Sequence, residues 1–342
     1  MGQKNTLVGS VQAYAEQAVK NNRTVVSATL ASLVGTSAGY PLDSLKSRLQ
    51  ANRTPITLAS LAKKVWREEG FAGFYRGIWI PLITISAVRA VSFSIYTRTK
   101  DILHDNNMLN RGTLFDVSSA GGLGGILSGA VISVGSAPFE LVKVRRQLEY
   151  SIAEQRGIAI IKPPNTLDAV ADIVRRSGVT GLYTGFRLHF VRDTLGTGLY
   201  FAEYEAFRHV LGRRPSGVQG PQPSWLPFHI PESTLPFLCG SVAGVTAWAI
   251  IYPLDVAKTK LQQRALSGGH YRSAFETLTR LVRGPDPNNP KPVVSGIARL
   301  YRGLGVSGCR SVITHGVLWT LFDYAGSYID SIPDRSRPPL IS

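Results

Sequence analysis

Between Arg23 and Asp43 the chain has no Asp, Glu, Lys or Arg, and the same silence returns twice. The charge-free windows run from 24 to 42, from 117 to 139 and from 233 to 254. Each is about 20 residues, enough for a helix rising 1.5 Å per residue to cross a hydrocarbon layer of about 30 Å. A second, less apolar set of spans opens at Gly77, Gly185 and Gly303 and runs roughly 20 residues further. The pattern therefore predicts six long helices in three pairs. Inside each pair the period changes. TLASLAKKVWREEG (57–70), TLDAVADIVRRSG (166–178) and SAFETLTRLVRG (273–284) repeat apolar residues at three- and four-residue steps. That spacing predicts three short amphipathic surface helices. The Pro- and Gly-rich stretch 212–233 reads as a linker, and GPDPNNPKP at 284–292 lengthens the last loop.

Each charge-free window ends on the same motif. PLDSLKSRLQ (Pro41 to Gln50) returns as PFELVKVRRQ (Pro138 to Gln147) and as PLDVAKTKLQ (Pro253 to Gln262). A second signal follows each: EGFAGFYRG (69–77), SGVTGLYTG (177–185) and SGIARLYRG (295–303). The unit is about a hundred residues long and is repeated three times. It divides the chain into an N-terminal tail (1–22), repeats at 23–110 and 111–214, a linker (215–234), a third repeat (235–330) and a C-terminal tail (331–342).

Charge changes the picture next. A net charge of +16 in 342 residues, with pI near 10.1, suggests nucleic acid or acidic lipid as a partner. The charges are segregated, however. From 46 to 76 the chain carries Lys46, Arg48, Arg53, Lys63, Lys64, Arg67 and Arg76 against Glu68 and Glu69, and the segments 143–187 and 258–302 are similarly basic. With 44% hydrophobic residues, this is membrane topology: three basic loops on one face and both termini opposite. No nucleic-acid partner is implied. Two cysteines, Cys239 and Cys309, make no disulfide framework or cysteine metal site. No HExxH, GxSxG or phosphate loop is present, so no enzyme, metal or cofactor is expected. GGLGG at 121–125 fits close helix approach.

The motif has its own physics. Pro41, Pro138 and Pro253 each remove a helical hydrogen bond and favour a kink. Asp43 and Lys46, Glu140 and Lys143, and Asp255 and Lys258 lie three residues apart, on one helix face. Where three such helices converge, the acid of one can pair with the base of the next, and a ring of such pairs closes a pore. Local bridges within each helix, or contacts with headgroups, are the simpler reading of any single copy.

The sequence Pro-x-acid-x-x-base-x-base followed by acid-Gly-x4-aromatic-base-Gly, three times over, resembles the mitochondrial carrier family, across roughly 24 to 330. Ser177 and Ser295 replace the acid of the second half, and Thr184 its base. The resemblance implies an all-α membrane protein of six transmembrane helices with short matrix-side helices, in the mitochondrial inner membrane, working as a monomer. It implies that the three acid–base pairs form a matrix gate braced by Gln50, Gln147 and Gln262. Cardiolipin is a plausible lipid partner at the Gly-opened helices.

In the family the even helices carry aromatic-acid-x-x-base as a cytoplasmic gate. Here YEAFR keeps it whole with Glu205 and Arg208, YTRTK keeps Lys100 but has Thr97 for the acid, and FDYAG keeps Asp323 but has Gly326 for the base. This predicts one bridge, Asp323 with Lys100, leaves Glu205 and Arg208 without charged partners, and makes the gate weak.

Charge inside a membrane is costly and normally faces a cavity. The even helices carry Arg89, Arg192, Asp193 and Arg310; Arg192 and Arg310 sit seven positions after their helix-opening glycines, where the first repeat has Thr84. These five are the candidate substrate contacts. His189 and His315 read as core or interface histidines. A cation beside an anion at Arg192-Asp193 suits a zwitterion, and the resemblance is to amino-acid and carnitine carriers at this point. Against it, helix 2 has no acid at position 88, and Tyr40 stands where carnitine carriers tend to have His. With three arginines to one aspartate, a di- or tricarboxylate or oxo-acid exchanger is the alternative, and a non-transporting scaffold a further one.

Overall fold

The computed structural model of the protein describes residues 14–51, 57–75, 78–147, 166–214, 217–267, 272–284, 286, 289–301 and 304–332. After a helical lead-in at 14–21, six long helices come in three pairs with short helices between the members of each pair. The long helices are α1 (Arg23–Ala51), α3 (Trp79–Asp105), α4 (Leu114–Gln147), α6 (Phe186–Val210), α7 (Leu235–Leu266) and α10 (Leu304–Ser331). The short ones are α2 (Leu58–Glu69), α5 (Thr166–Ser177), α8 (Ala274–Arg283) and α9 (Val293–Leu300). The long helices pack as a closed ring in chain order, with α10 returning to α1. Among the described residues, three helices are long and apolar enough to cross a membrane: α1, α4 and α7. Their outward positions, such as Leu30, Val34, Val131, Val134 and Ile250, are exposed apolar residues, the surface expected against lipid.

The three surface helices form where their periodicity predicts. Ser273 caps α8 by accepting from the Glu276 amide at 3.0 Å, as Thr57 caps α2 through the Ser60 amide. Each ends on a glycine with positive φ: Gly70 (65°), Gly178 (67°) and Gly284 (94°). A left-handed residue there stops the helix and turns the chain back toward the bundle. Leu61 and Val65 of α2 bury against Leu45 of α1, and Ile173 of α5 packs with Leu141, Val142 and Val144 of α4.

Two expectations need correction. The basic segments do not begin as loops. Helices α1, α4 and α7 continue past Pro41, Pro138 and Pro253 and through the motif to Ala51, Gln147 and Leu266. A proline forfeits one hydrogen bond, and cations in the final turns favour continuation by meeting the negative helix end. The third repeat also holds a further helix. Where the first two repeats have 3₁₀ turns, Phe71–Tyr75 and Val179–Tyr183, the third has α9 in that place, lying against α8. Most of α9 is the SGIARL of the second motif, and the Pro-rich stretch precedes it.

Close approach of α4 to α6 locks the centre of the ring. A Cβ built on Gly125 would lie 2.5 Å from the Thr197 carbonyl oxygen, and one on Gly129 would lie 2.6 Å from that of Asp193. The GGLGG stretch is thus a backbone-to-backbone seam, and it fixes the height of the chemistry on α6.

Candidate functional site

The site builds up in layers along α3, α6 and α10, counted from the helix-opening glycines Gly77, Gly185 and Gly303. The end nearer the termini carries ionic pairs. Lys100 Nζ donates to Glu205 Oε1 at 2.6 Å, and Arg208 donates to Asp323 at 3.0 Å. The Tyr96 hydroxyl also donates to Glu205, and Arg208 Nη1 reaches the Tyr204 hydroxyl at 3.5 Å. Glu205 and Arg208 are buried.

This overturns the expected pairing. Lys100 bonds Glu205 rather than Asp323, and neither Glu205 nor Arg208 is left alone. Each base reaches the acid of the corresponding helix in the next repeat, α3 to α6 and α6 to α10. The missing bridge would run from position 326 to position 97, so the absent base and absent acid are each other's partners. Two bridges form where one was expected. At the vacant corner the Arg23 guanidinium takes the room: its Nη2 lies 2.7 Å from where a Cβ of Gly326 would sit. It grips Asp330 at 2.7 and 2.8 Å, tying α1 to α10. Just past α6, burial works against the charge on Arg213, yet Glu205, Tyr204 and Asp323 hold its pKa above the ordinary arginine value.

Removing Asp323 strands a buried cation, a loss of about 3–5 kcal/mol when one partner of a buried pair is deleted. Asp323→Asn is therefore expected to open this end. In a Cys309→Ser background, an impermeant thiol reagent added from the side of the termini should label a Thr197→Cys reporter at least tenfold faster. An unchanged rate would show that the bridge does not hold the end shut.

Directly inward lies an aromatic layer that the sequence reading did not single out. Phe93, Phe201 and Trp319 each sit sixteen positions after their opening glycine. Their ring centroids are 5.5, 4.9 and 6.0 Å apart, and Trp319 stacks on Tyr204 at 3.4 Å. The equal register was the available signal. Glu203, also passed over, lies on the α6–α7 seam and accepts a hydrogen bond from Thr246.

Deeper still, Arg192 contacts two carboxylates, Asp193 at 2.5 Å and Asp255 of α7 at 3.0 Å. His189 approaches Asp193 at 3.4 Å and bonds Ser136 of α4 at 3.1 Å, a buried interface histidine at the edge of this cluster. Trp248 of α7 has Arg192 over its ring at 5.0 Å and Arg310 at 6.0 Å. It was missed because a tryptophan in an apolar window reads as lipid-facing or core. Thr84 is exposed, and no carboxylate pairs with Arg89 among the described residues.

At the proline end Lys258 Nζ lies 3.5 Å from Glu140 Oε2, linking α7 to α4. Asp255, the acid of the same motif, turns to Arg192. Gln262 is buried against Gly185, at 3.1 Å from where its Cβ would be, and its Oε1 has no hydrogen-bond partner. The side chains of Asp43, Lys46, Gln50, Lys143 and Gln147 lie outside the described residues.

Helix pairs in three like repeats, ringed around buried charges with ionic pairs at both ends, have the build of a membrane solute carrier. The chain belongs to the mitochondrial carrier family: the profile described as mitochondrial carrier protein matches residues 17–107, 117–215 and 231–331. Similar proteins include the mitochondrial ornithine transporter 1 of Schizosaccharomyces pombe, 29% identical over 88% of this chain and 90% of that one. The mitochondrial arginine transporter BAC2 of Arabidopsis thaliana is 30% identical over 89% of this chain and 90% of its own length. A mitochondrial carnitine/acylcarnitine carrier-like protein of the same plant is 26% identical over 84% and 92%.

Proposed function

We propose that this protein carries a small amino-acid-like solute across the mitochondrial inner membrane by alternating access. The observation that carries the reading is the second carboxylate on Arg192. A count along the sequence gives three arginines to one aspartate and favours a dicarboxylate. Folding brings Asp255 to Arg192 beside Asp193, so with Arg310 over the same Trp248 ring this layer balances two acids against two bases. Such a layer suits a solute that carries an amine as well as a carboxylate better than a dicarboxylate. That the named relatives include ornithine, arginine and carnitine-like carriers supports the same class.

In this reading α1, α3, α4, α6, α7 and α10 are the six spans, in repeats at 23–110, 111–214 and 235–330. The basic face with α2, α5 and α8 is on the matrix side, and both termini are in the intermembrane space. Asp43, Lys46, Glu140, Lys143, Asp255 and Lys258 are the matrix gate, with Gln50, Gln147 and Gln262 as braces. Lys100, Glu205, Arg208 and Asp323 are the cytoplasmic gate. Arg89, Arg192, Asp193, Arg310 and Thr84 face the solute. The unit works as a monomer, with cardiolipin as a bound lipid.

The test is uptake into proteoliposomes preloaded with amino acids, acylcarnitines, or di- and tricarboxylates. Exchange of an amino acid is expected, and exchange of dicarboxylates alone would replace this reading with the alternative. Arg310→Ala is expected to cut uptake about tenfold or more, a loss appropriate to one charge-assisted contact. Full activity in that variant removes Arg310 from the site, and a wild type that moves nothing in the panel points to a scaffold.

A further inference from the structure

One layer between the arginines and the aromatic plug is still without a role. Arg89 and His315 stand at the same register, each twelve positions after its opening glycine. Tyr200 reaches the same place from α6: its ring lies 4.6 Å from that of His315. Arg89 interacts electrostatically with Tyr200 and with His315.

This group is poorly satisfied. Tyr200 and His315 are both more than nine-tenths buried, at 5% and 8% exposure. His315 Nδ1 has no hydrogen-bond partner, and the Tyr200 hydroxyl and Trp319 Nε1 have only a loose contact with each other. Buried polar atoms in native proteins are nearly all paired, and leaving one unpaired costs about 1–3 kcal/mol. Such an unpaired atom, with a loosely bonded phenol, beside an arginine that has no carboxylate among the described residues makes a place that an anion would complete. A guanidinium, a phenol and an imidazole together offer the planar fork and the additional donors that suit a carboxylate.

The charge balance changes with depth. The layer of Arg192, Arg310, Asp193 and Asp255 is five residues further in, roughly 7–8 Å along a helix. It sets two acids against two bases, while the Arg89 layer has a base with no paired carboxylate among the described residues. Trp248 lies on the inner side, where Arg192 already covers part of its face.

Resting on the carrier reading above, we infer that Arg89, Tyr200 and His315 form the subsite for the solute's carboxylate, while Asp193 and Asp255 receive a cationic group at its other end. The site therefore selects amino acids with a cationic side chain over simple zwitterions and dicarboxylates. Arg192 acts chiefly to hold the two acids in place, and the Arg192-Asp193 neighbours do not split the two charges of the solute between them. His315 is a binding residue on this view, which revises its reading as a core histidine.

The experiment compares ornithine with 1,4-diaminobutane, which keeps both amines and lacks the carboxylate. Wild type in proteoliposomes should prefer ornithine. Tyr200→Phe, which removes one oxygen atom and little volume, and His315→Asn should each shrink that preference about tenfold, as a site built for a hydrogen-bonded group loses discrimination when a donor is removed. Arg89→Gln should abolish it. Thermal protection of the purified carrier by the two compounds gives the same comparison without transport and reports folding in the same trace. A preference that survives in all three variants overturns the subsite and leaves the carrier reading standing. A wild type that exchanges neutral zwitterions or dicarboxylates, but not ornithine, arginine or lysine, overturns the assignment of both charges. A wild type that moves no solute removes the carrier reading together with the subsite.

Discussion

Arg192→Ala is expected to lower uptake by about two orders of magnitude, more than any other single change in the chamber. The side chain is the counter-ion of Asp193 and Asp255 together, at 2.5 and 3.0 Å. Without it, two carboxylates face each other in a space poor in water. Deleting one member of such a buried group costs about 3–5 kcal/mol, because the remaining charge is left uncompensated. The loss falls on conformation as well as on binding, since Asp255 belongs to the same motif as the gate base Lys258. Arg192→Lys should recover only part of the activity: an ammonium can meet one acid well, but lacks the planar fork that engages two. Initial uptake rates of purified, reconstituted protein decide the matter. If alanine retains more than half the wild-type rate, Arg192 is not the centre of the site.

The second large effect is on the fold. Gly125→Val should sharply lower the unfolding temperature of the purified protein and its yield from membranes. The new side chain would start 2.5 Å from the Thr197 oxygen and 2.9 Å from Gly198 Cα, both backbone atoms that no rotamer change can move. Overpacking of this kind costs about 1–3 kcal/mol or more in a soluble core. It matters particularly here, because helices in a membrane associate by close packing rather than by the hydrophobic effect. Gly125→Ala should show a smaller effect of the same sign. Gly135, on the same helix with nothing within 4 Å of its Cβ position, provides the control, and Gly135→Ala should leave the melt unchanged. Equal melts for Gly125→Val and Gly135→Ala would mean that the α4–α6 seam does not hold the bundle.

Much of this architecture was legible because it is repeated. Three charge-free windows, three copies of the proline motif and three amphipathic stretches gave the helices, their pairing and the family, each copy supporting the others. The bounds of the amphipathic stretches have local causes in the structure: Ser273 with Glu276 marks the start of α8, and Gly70, Gly178 and Gly284 mark the ends of α2, α5 and α8.

The misreadings have a common cause. The partner of Lys100 depends on the sense in which the ring closes, which no single repeat contains, so Asp323 was chosen where folding supplies Glu205. The charge count at Arg192 failed for the same reason: Asp255 is 63 residues away in sequence and was assigned to another device. Trp248 and Tyr200, in apolar stretches, gave no signal, and His315 read as a core or interface histidine.

By itself, then, the sequence determined the six long helices and their order, the threefold repeat and the family, because periodicity and motif are properties of neighbouring residues. Only the tertiary structure decided which acid meets which base and which polar groups are left facing inward. Those are contacts between helices tens to hundreds of residues apart, and they depend on the direction of closure, the depth of each side chain and the close approach that glycines such as Gly125 permit.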